Sequence, residues 1–135
     1  MLICGRCNPP PENDPNYRGV YFAAKDDMQA HAAGMGGTPL RVEHTTKPVG
    51  SVLSAWTAED GSMYALAEID VQHPAGAVAA ACVHAGRFSE FSLGYTSRMS
   101  RDTSGRLHVD CKKIRELSLV RVGARPNCKI ICREG

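Results

Sequence analysis

The chain has 135 residues, close to the ~150 of one typical domain, and a chain of this size can bury one core. Lys+Arg total 16 against 14 Asp+Glu, a net charge of +2 with no dense basic run, which argues against a nucleic-acid-binding or membrane-surface protein. A hydrophobic fraction of 43% excludes wholesale disorder, and 6% aromatic residues exclude a stacking platform for bases.

In chain order, a short apolar strand opens the sequence and breaks at Pro9, Pro10, Pro11 and Pro15, which enter neither a helix nor a central strand. Residues 17–24 read as a strand. Residues 25–37 read as a mobile surface loop, with a helical turn begun at Asp26-Asp27 and cut short by glycines, forming a lid near His44. Residues 39–43 alternate apolar and charged side chains, as a half-buried strand does. Residues 49–57 and 63–69 are two more strands, with the Asp60-Gly61 turn signal of a hairpin between them. Residues 74–86 form the best helix, with proline near the start, an alanine-rich body and glycine at the end. Their apolar run, 75–83, falls well short of the ~20 residues of a membrane-spanning helix.

Residues 88–99 alternate with period two through Phe91, Leu93 and Tyr95, and residues 102–105 are a turn. Residues 106–109 lead into a strand at 114–122, whose apolar residues change parity beside Glu116 and predict a bulge there. A last apolar piece spans 128–132. The sum is about seven short strands and one helix: an α+β, mainly β, single domain over 1–135, built as a small closed or nearly closed antiparallel β-barrel with one or few helices.

Six cysteines are present: Cys4, Cys7, Cys82, Cys111, Cys128 and Cys132. The N-terminus has no basic flank followed by a long apolar region, so the expectation is no secretory signal, a reducing compartment and free thiols. The spacings Cys4-x2-Cys7 and Cys128-x3-Cys132 leave one alternative, a small four-cysteine zinc module formed if the chain ends meet.

Three segments carry candidate chemistry. PLRVEHTTKPVGSV (39–52) sets the imidazole of His44 at the end of an alternating strand. FSEFSLGYTS (88–97) sets the Ser92 hydroxyl between apolar neighbours. IRELSLVRVGARPN (114–127) embeds the Glu116 carboxylate in a strand that otherwise wants burial. A serine hydroxyl becomes a useful nucleophile when a histidine accepts its proton, and the histidine needs a third group to fix its tautomer. Backbone N–H groups of a glycine-bearing turn, here Gly123, Ala124 and Arg125, suit a developing oxyanion. His108 competes with Glu116 for the third position, which would make the set Ser-His-His.

These three blocks, in this order, resemble the assemblin and prohead-protease superfamily, the capsid maturation proteases of herpesviruses and tailed phages. The resemblance runs from about residue 17 to 130. It implies Ser92 as nucleophile, His44 as general base, Glu116 where phage members commonly carry a carboxylate, and an oxyanion site at Gly123, Ala124 and Arg125. It implies no cofactor and no metal. The implied activity is a serine endopeptidase that cuts a scaffold protein and its own precursor during capsid assembly, with this chain the N-terminal part of a longer protease–scaffold precursor. The implied partners are the scaffold, capsid shell proteins and a second copy of the chain, without nucleic acid or membrane. The implied location is the assembling capsid, in the host nucleus or cytoplasm. A rival reading keeps the barrel as a non-catalytic capsid-assembly or interaction domain.

Overall fold

A computed structural model describes residues 1–10, 20–21 and 28–135. The elements in order are β1 (Leu2–Asn8), β2 (Val20–Tyr21), α1 (Met28–Ala33), β3 (Pro39–Val42), β4 (Gly50–Thr57), β5 (Met63–Ile69), α2 (Pro74–His84), β6 (Glu90–Arg101), β7 (Leu107–Val120) and β8 (Ile130–Glu134). Of the strand expected over 17–24, only Val20–Tyr21 falls within the described residues.

The strands form one curled sheet in the order β2-β7-β3-β4-β5-β1-β8, with β6 on β7. The curl closes where Glu90, at the start of β6, bridges Lys129, just ahead of β8. Two bonds hold that seam: Phe91 N–H to the Cys128 carbonyl at 2.7 Å, and Ile130 N–H to the Ser89 carbonyl at 2.9 Å. The α+β, mainly β architecture and nearly closed barrel follow the sequence reading. The pairing is mixed rather than wholly antiparallel, because β7 runs parallel to both β2 and β3. A parallel neighbour needs a long crossover, and the chain between β3 and β7 supplies it by building β4, β5, α2 and β6.

Alternation puts Ile3, Leu40, Val52, Ala65, Ala67, Ile69, Phe91, Leu93, Leu117 and Leu119 inside the curl, all buried in one cluster. Each large side chain so buried contributes roughly 1.5–3 kcal/mol. The opposite face of β6 and β7 carries Ser92, Gly94, Glu116 and Ser118. The expected bulge is present. Gly94 pairs with Glu116 and Tyr95 with Ile114, so Arg115 is the extra residue, and the apolar parity changes there.

Two expectations are corrected. Residues 28–33 are a helix, not a lid: Met28 and Ala32, with Met35 beyond, are buried at helical spacing and dock into the core. The glycines at 34, 36 and 37 obscure that stripe in the sequence. The cysteines are not all thiols either. Cys4 stands opposite Cys132 on the β1–β8 ladder, and the two form a disulfide with Cα atoms 5.2 Å apart. With those two sulfurs bonded to each other, the four-thiolate cage does not form. Cys7 and Cys128 stay free and buried. Burial pushes the Cys7 thiol far above its ordinary range and raises Cys128 to about 12. Cys111 lies outside the residues whose side chains are described. Among the described residues no group of three His, Cys, Asp or Glu is arranged around a metal-sized space.

Candidate active site

Register brings the site together. β7 is the common partner, pairing Ser118 with Arg41 on β3 and with Ser92 on β6. At the end of β3 the chain turns sharply. Glu43 and His44 both take the left-handed conformation, with φ of 49° and 58°. Two such residues in succession cost on the order of 1–3 kcal/mol each. The surroundings hold them there: Glu43 N–H donates to the Leu119 carbonyl at 2.9 Å, and Thr45 N–H to the Val42 carbonyl at 2.9 Å. The Glu43 carboxylate accepts from Arg121 N–H at 2.9 Å. His44 N–H donates to Ser118 Oγ at 3.0 Å. The turn folds the imidazole back over the outer face of β6 and β7.

There His44 Nε2 lies 3.1 Å from Ser92 Oγ, while Nδ1 makes a short hydrogen bond to Glu116 Oε1. A carboxylate only accepts, so Nδ1 carries the hydrogen and Nε2 presents its lone pair to the serine. Ser92 and Glu116 are buried, and the His44 side chain is 45% exposed. The Glu116 hydrogen bond, acting against the penalty of burial, raises the His44 pKa above its ordinary value, and the charges of Glu116 and Glu43 add to that.

Glu116 is held from its other side. Its Oε2 accepts from the Ser118 hydroxyl at 2.5 Å, and Ser118 is fully buried. Ser118 escapes sequence reasoning because serine in a strand is usually unremarkable. The available signal is the Glu116-x-Ser118 spacing, which puts both side chains on one face of a strand.

Residues 121–127 leave β7 and pass the serine. A small cavity of about 20 Å³ is lined by Ser92, Phe91, Leu93, Tyr95, Cys7, Ala124 and Arg125. Arg125 is buried and donates to the Tyr95 hydroxyl at 3.2 Å; burial lowers its pKa. Gly123 plays a different part from the one expected of it. Its N–H donates to Glu90 Oε1 at 2.9 Å, so it anchors the loop and is not available to an oxyanion. Among the described residues the Ala124 amide has no acceptor. Of the expected donors, Ala124 and Arg125 border the serine.

His108 does not join this group. It pairs with Ser100, toward the far end of the β6–β7 hairpin, whereas Ser92 pairs with Ser118. A separation of ten residues along β7 is about 33 Å of extended strand. Its side chain lies outside the described residues.

By sequence, no protein-family model and no curated protein matches the chain. By structure it resembles the protease of Kaposi's sarcoma-associated herpesvirus. A complex of that enzyme with a hexapeptide phosphonate inhibitor superposes with a TM-score of 0.63 at 13% identity, covering 96% of this chain and 64% of the other. A complex with a dimer disruptor gives 0.58 at 17%, covering 96% and 74%. One with an allosteric inhibitor gives 0.57 at 16%, again covering 96% and 74%. The chain therefore has the assemblin-like fold, a fold used by viral proteases, and it spans about two thirds to three quarters of those chains.

Proposed function

We propose that the chain is a serine endopeptidase with Ser92, His44 and Glu116 as its catalytic residues. One observation carries the reading: a serine hydroxyl, an imidazole and a buried carboxylate stand in a single hydrogen-bonded row, with His44 Nε2 3.1 Å from Ser92 Oγ. As Ser92 Oγ attacks a peptide carbonyl, its proton passes to His44 Nε2, and Glu116 stabilises the imidazolium formed. The Ala124 amide and the Arg125 side of the small cavity receive the tetrahedral oxyanion. His44 then protonates the leaving amine, which frees the acyl-enzyme. Water enters, gives its proton to the same nitrogen, and hydrolysis returns Ser92.

The resemblance of three sequence blocks, together with the shared fold, supports a more specific role. The substrate would be a capsid scaffold protein and the chain's own precursor, cut within an assembling capsid inside the host cell. The chain would then be the N-terminal domain of a protease–scaffold precursor. Dimerisation belongs to the same proposal, since one neighbour was solved with a dimer disruptor.

The test is labelling with a serine-directed peptide phosphonate and location of the adduct by mass spectrometry, alongside precursor processing by wild type and Ser92→Ala. An adduct on Ser92 and loss of processing in the variant are the expected results. Processing that continues unchanged in Ser92→Ala overturns the reading and leaves the non-catalytic assembly domain.

A further inference from the structure

Three hydrogen bonds described above form a closed circuit that begins and ends on His44. The backbone N–H of His44 donates to Ser118 Oγ at 3.0 Å. The Ser118 hydroxyl donates to Glu116 Oε2 at 2.5 Å. Glu116 Oε1 accepts from His44 Nδ1–H. A hydroxyl has one hydrogen, and here the carboxylate takes it, so the serine lone pairs are left to receive the backbone N–H. The directions are therefore fixed all the way round. The backbone N–H to hydroxyl and hydroxyl to carboxylate bonds run head to tail and polarise each other, while the Nδ1–H bond meets them at the carboxylate from the other side, in a site where Ser118 is 0% and Glu116 4% exposed.

We propose that Ser118 is a positioning residue for the imidazole, coupling the left-handed backbone of His44 to the orientation of Glu116. The alternative, a serine that merely fills space on β7, would need neither bond. The side chain instead touches both the backbone of the strained turn and the carboxylate. Without it, the buried Oε2 loses its donor and the His44 N–H loses its acceptor together. The carboxylate is then free to turn from Nδ1, and the φ of 58° at His44 loses one of its restraints. A displacement of the base of even 1 Å costs about 10²-fold in rate.

The kinetic part of this inference rests on the protease reading; the spectroscopic part does not. Full-length wild type, Ser118→Ala and Ser118→Cys are compared, the cysteine keeping the size while offering a weaker donor. In Ser118→Ala, kcat is expected to fall about 10²-fold with KM unchanged. The same change made on a Glu116→Ala background should alter kcat by no more than about twofold, because its target is already gone. By proton NMR, the downfield His44 Nδ1–H signal of the wild type should broaden or vanish through solvent exchange in Ser118→Ala, and be partly kept in Ser118→Cys. Equal kcat losses on both backgrounds, or an Nδ1–H signal indifferent to both substitutions, overturn the proposal. Should Ser118→Ala fail to fold, Ser118→Cys decides by the same signal. A wild-type protein that shows the signal and its dependence on Ser118 but turns over no substrate counts against the protease reading alone.

Discussion

The carboxylate of Glu116 lies directly over Gly94. A Cβ at residue 94 would come within 2.0 Å of Glu116 Oε1 and 2.7 Å of its Cδ. Gly94 faces Glu116 across the β6–β7 ladder, so the missing side chain of one strand is the space occupied by the acid of the other. Gly94→Ala should therefore displace Glu116 from His44. The expected loss in kcat is about 10²-fold, with overpacking costing about 1–3 kcal/mol of stability. Kinetics and thermal unfolding measured together check this. A variant with full activity would show that the acid is not needed where it stands.

Ser92→Ala and His44→Ala should each abolish phosphonate labelling and lower turnover by up to about 10⁶-fold, and the double variant should be little worse than either, since the two groups act as a unit. Ser92→Ala removes only an oxygen from the outer face of β6, so its melting temperature should stay near that of the wild type. Losses that multiply in the double variant would mean that the two residues work separately.

The pH dependence follows from His44. Its pKa is raised above the ordinary 6.5, first by the Glu116 hydrogen bond, and only the neutral imidazole can take the Ser92 proton. The acid limb of kcat/KM should therefore lie above pH 6.5 and move down toward that value in Glu116→Gln. Stability has the opposite sense. The protonated His44–Glu116 pair stabilises the fold in full below the unfolded-state pKa, and that increment is lost as the pH rises through the higher folded-state value. An NMR titration of His44 in both proteins measures the shift; an unchanged midpoint in Glu116→Gln contradicts the assignment.

The cysteines give a prediction independent of catalysis. Peptide mapping without reductant should recover Cys4 linked to Cys132, with Cys7 and Cys128 as thiols. In the folded protein Cys7 and Cys128 should resist alkylation, being buried and with their pKa values raised, while the half-buried Cys82 reacts before either. The disulfide closes a loop across a separation of 128 residues, so Cys4→Ser should cost about 2–4 kcal/mol, read as a lower melting temperature that reductant no longer changes. Cys4 recovered as a free thiol or linked to another cysteine would refute the pairing, and a Cys7–Cys128 link would refute the assignment of those two as thiols.

Much of this geometry is legible in the sequence because alternation is a local property. The period-two apolar residues of 88–99, the Asp60-Gly61 turn and the parity change beside Glu116 each follow from a few adjacent residues, and the strands and bulge stand where those signals put them. The same locality explains what is hidden. That Cys4 faces Cys132 depends on the chain ends becoming neighbours, which no short window contains. The parallel β3–β7 pairing is set by everything folded between those strands. The left-handed Glu43 and His44 carry no glycine signal, because their conformation is imposed by bonds to Leu119, Ser118 and Arg121. Ser118 is hidden for a related reason: one partner, Glu116, is two residues away, but the other, the His44 backbone, is 74 residues distant.

The Glu90–Lys129 bridge has a mechanical consequence. Along most of the circuit the wall is stitched by a run of paired residues, but at this clasp, as between β3 and β4, the paired stretch is short. Glu90 is also the residue that grips the Gly123 amide, and Phe91 and Cys128, which share a bond across the clasp, flank the serine and follow the loop beside it. Loosening this clasp would thus slacken the loop beside Ser92.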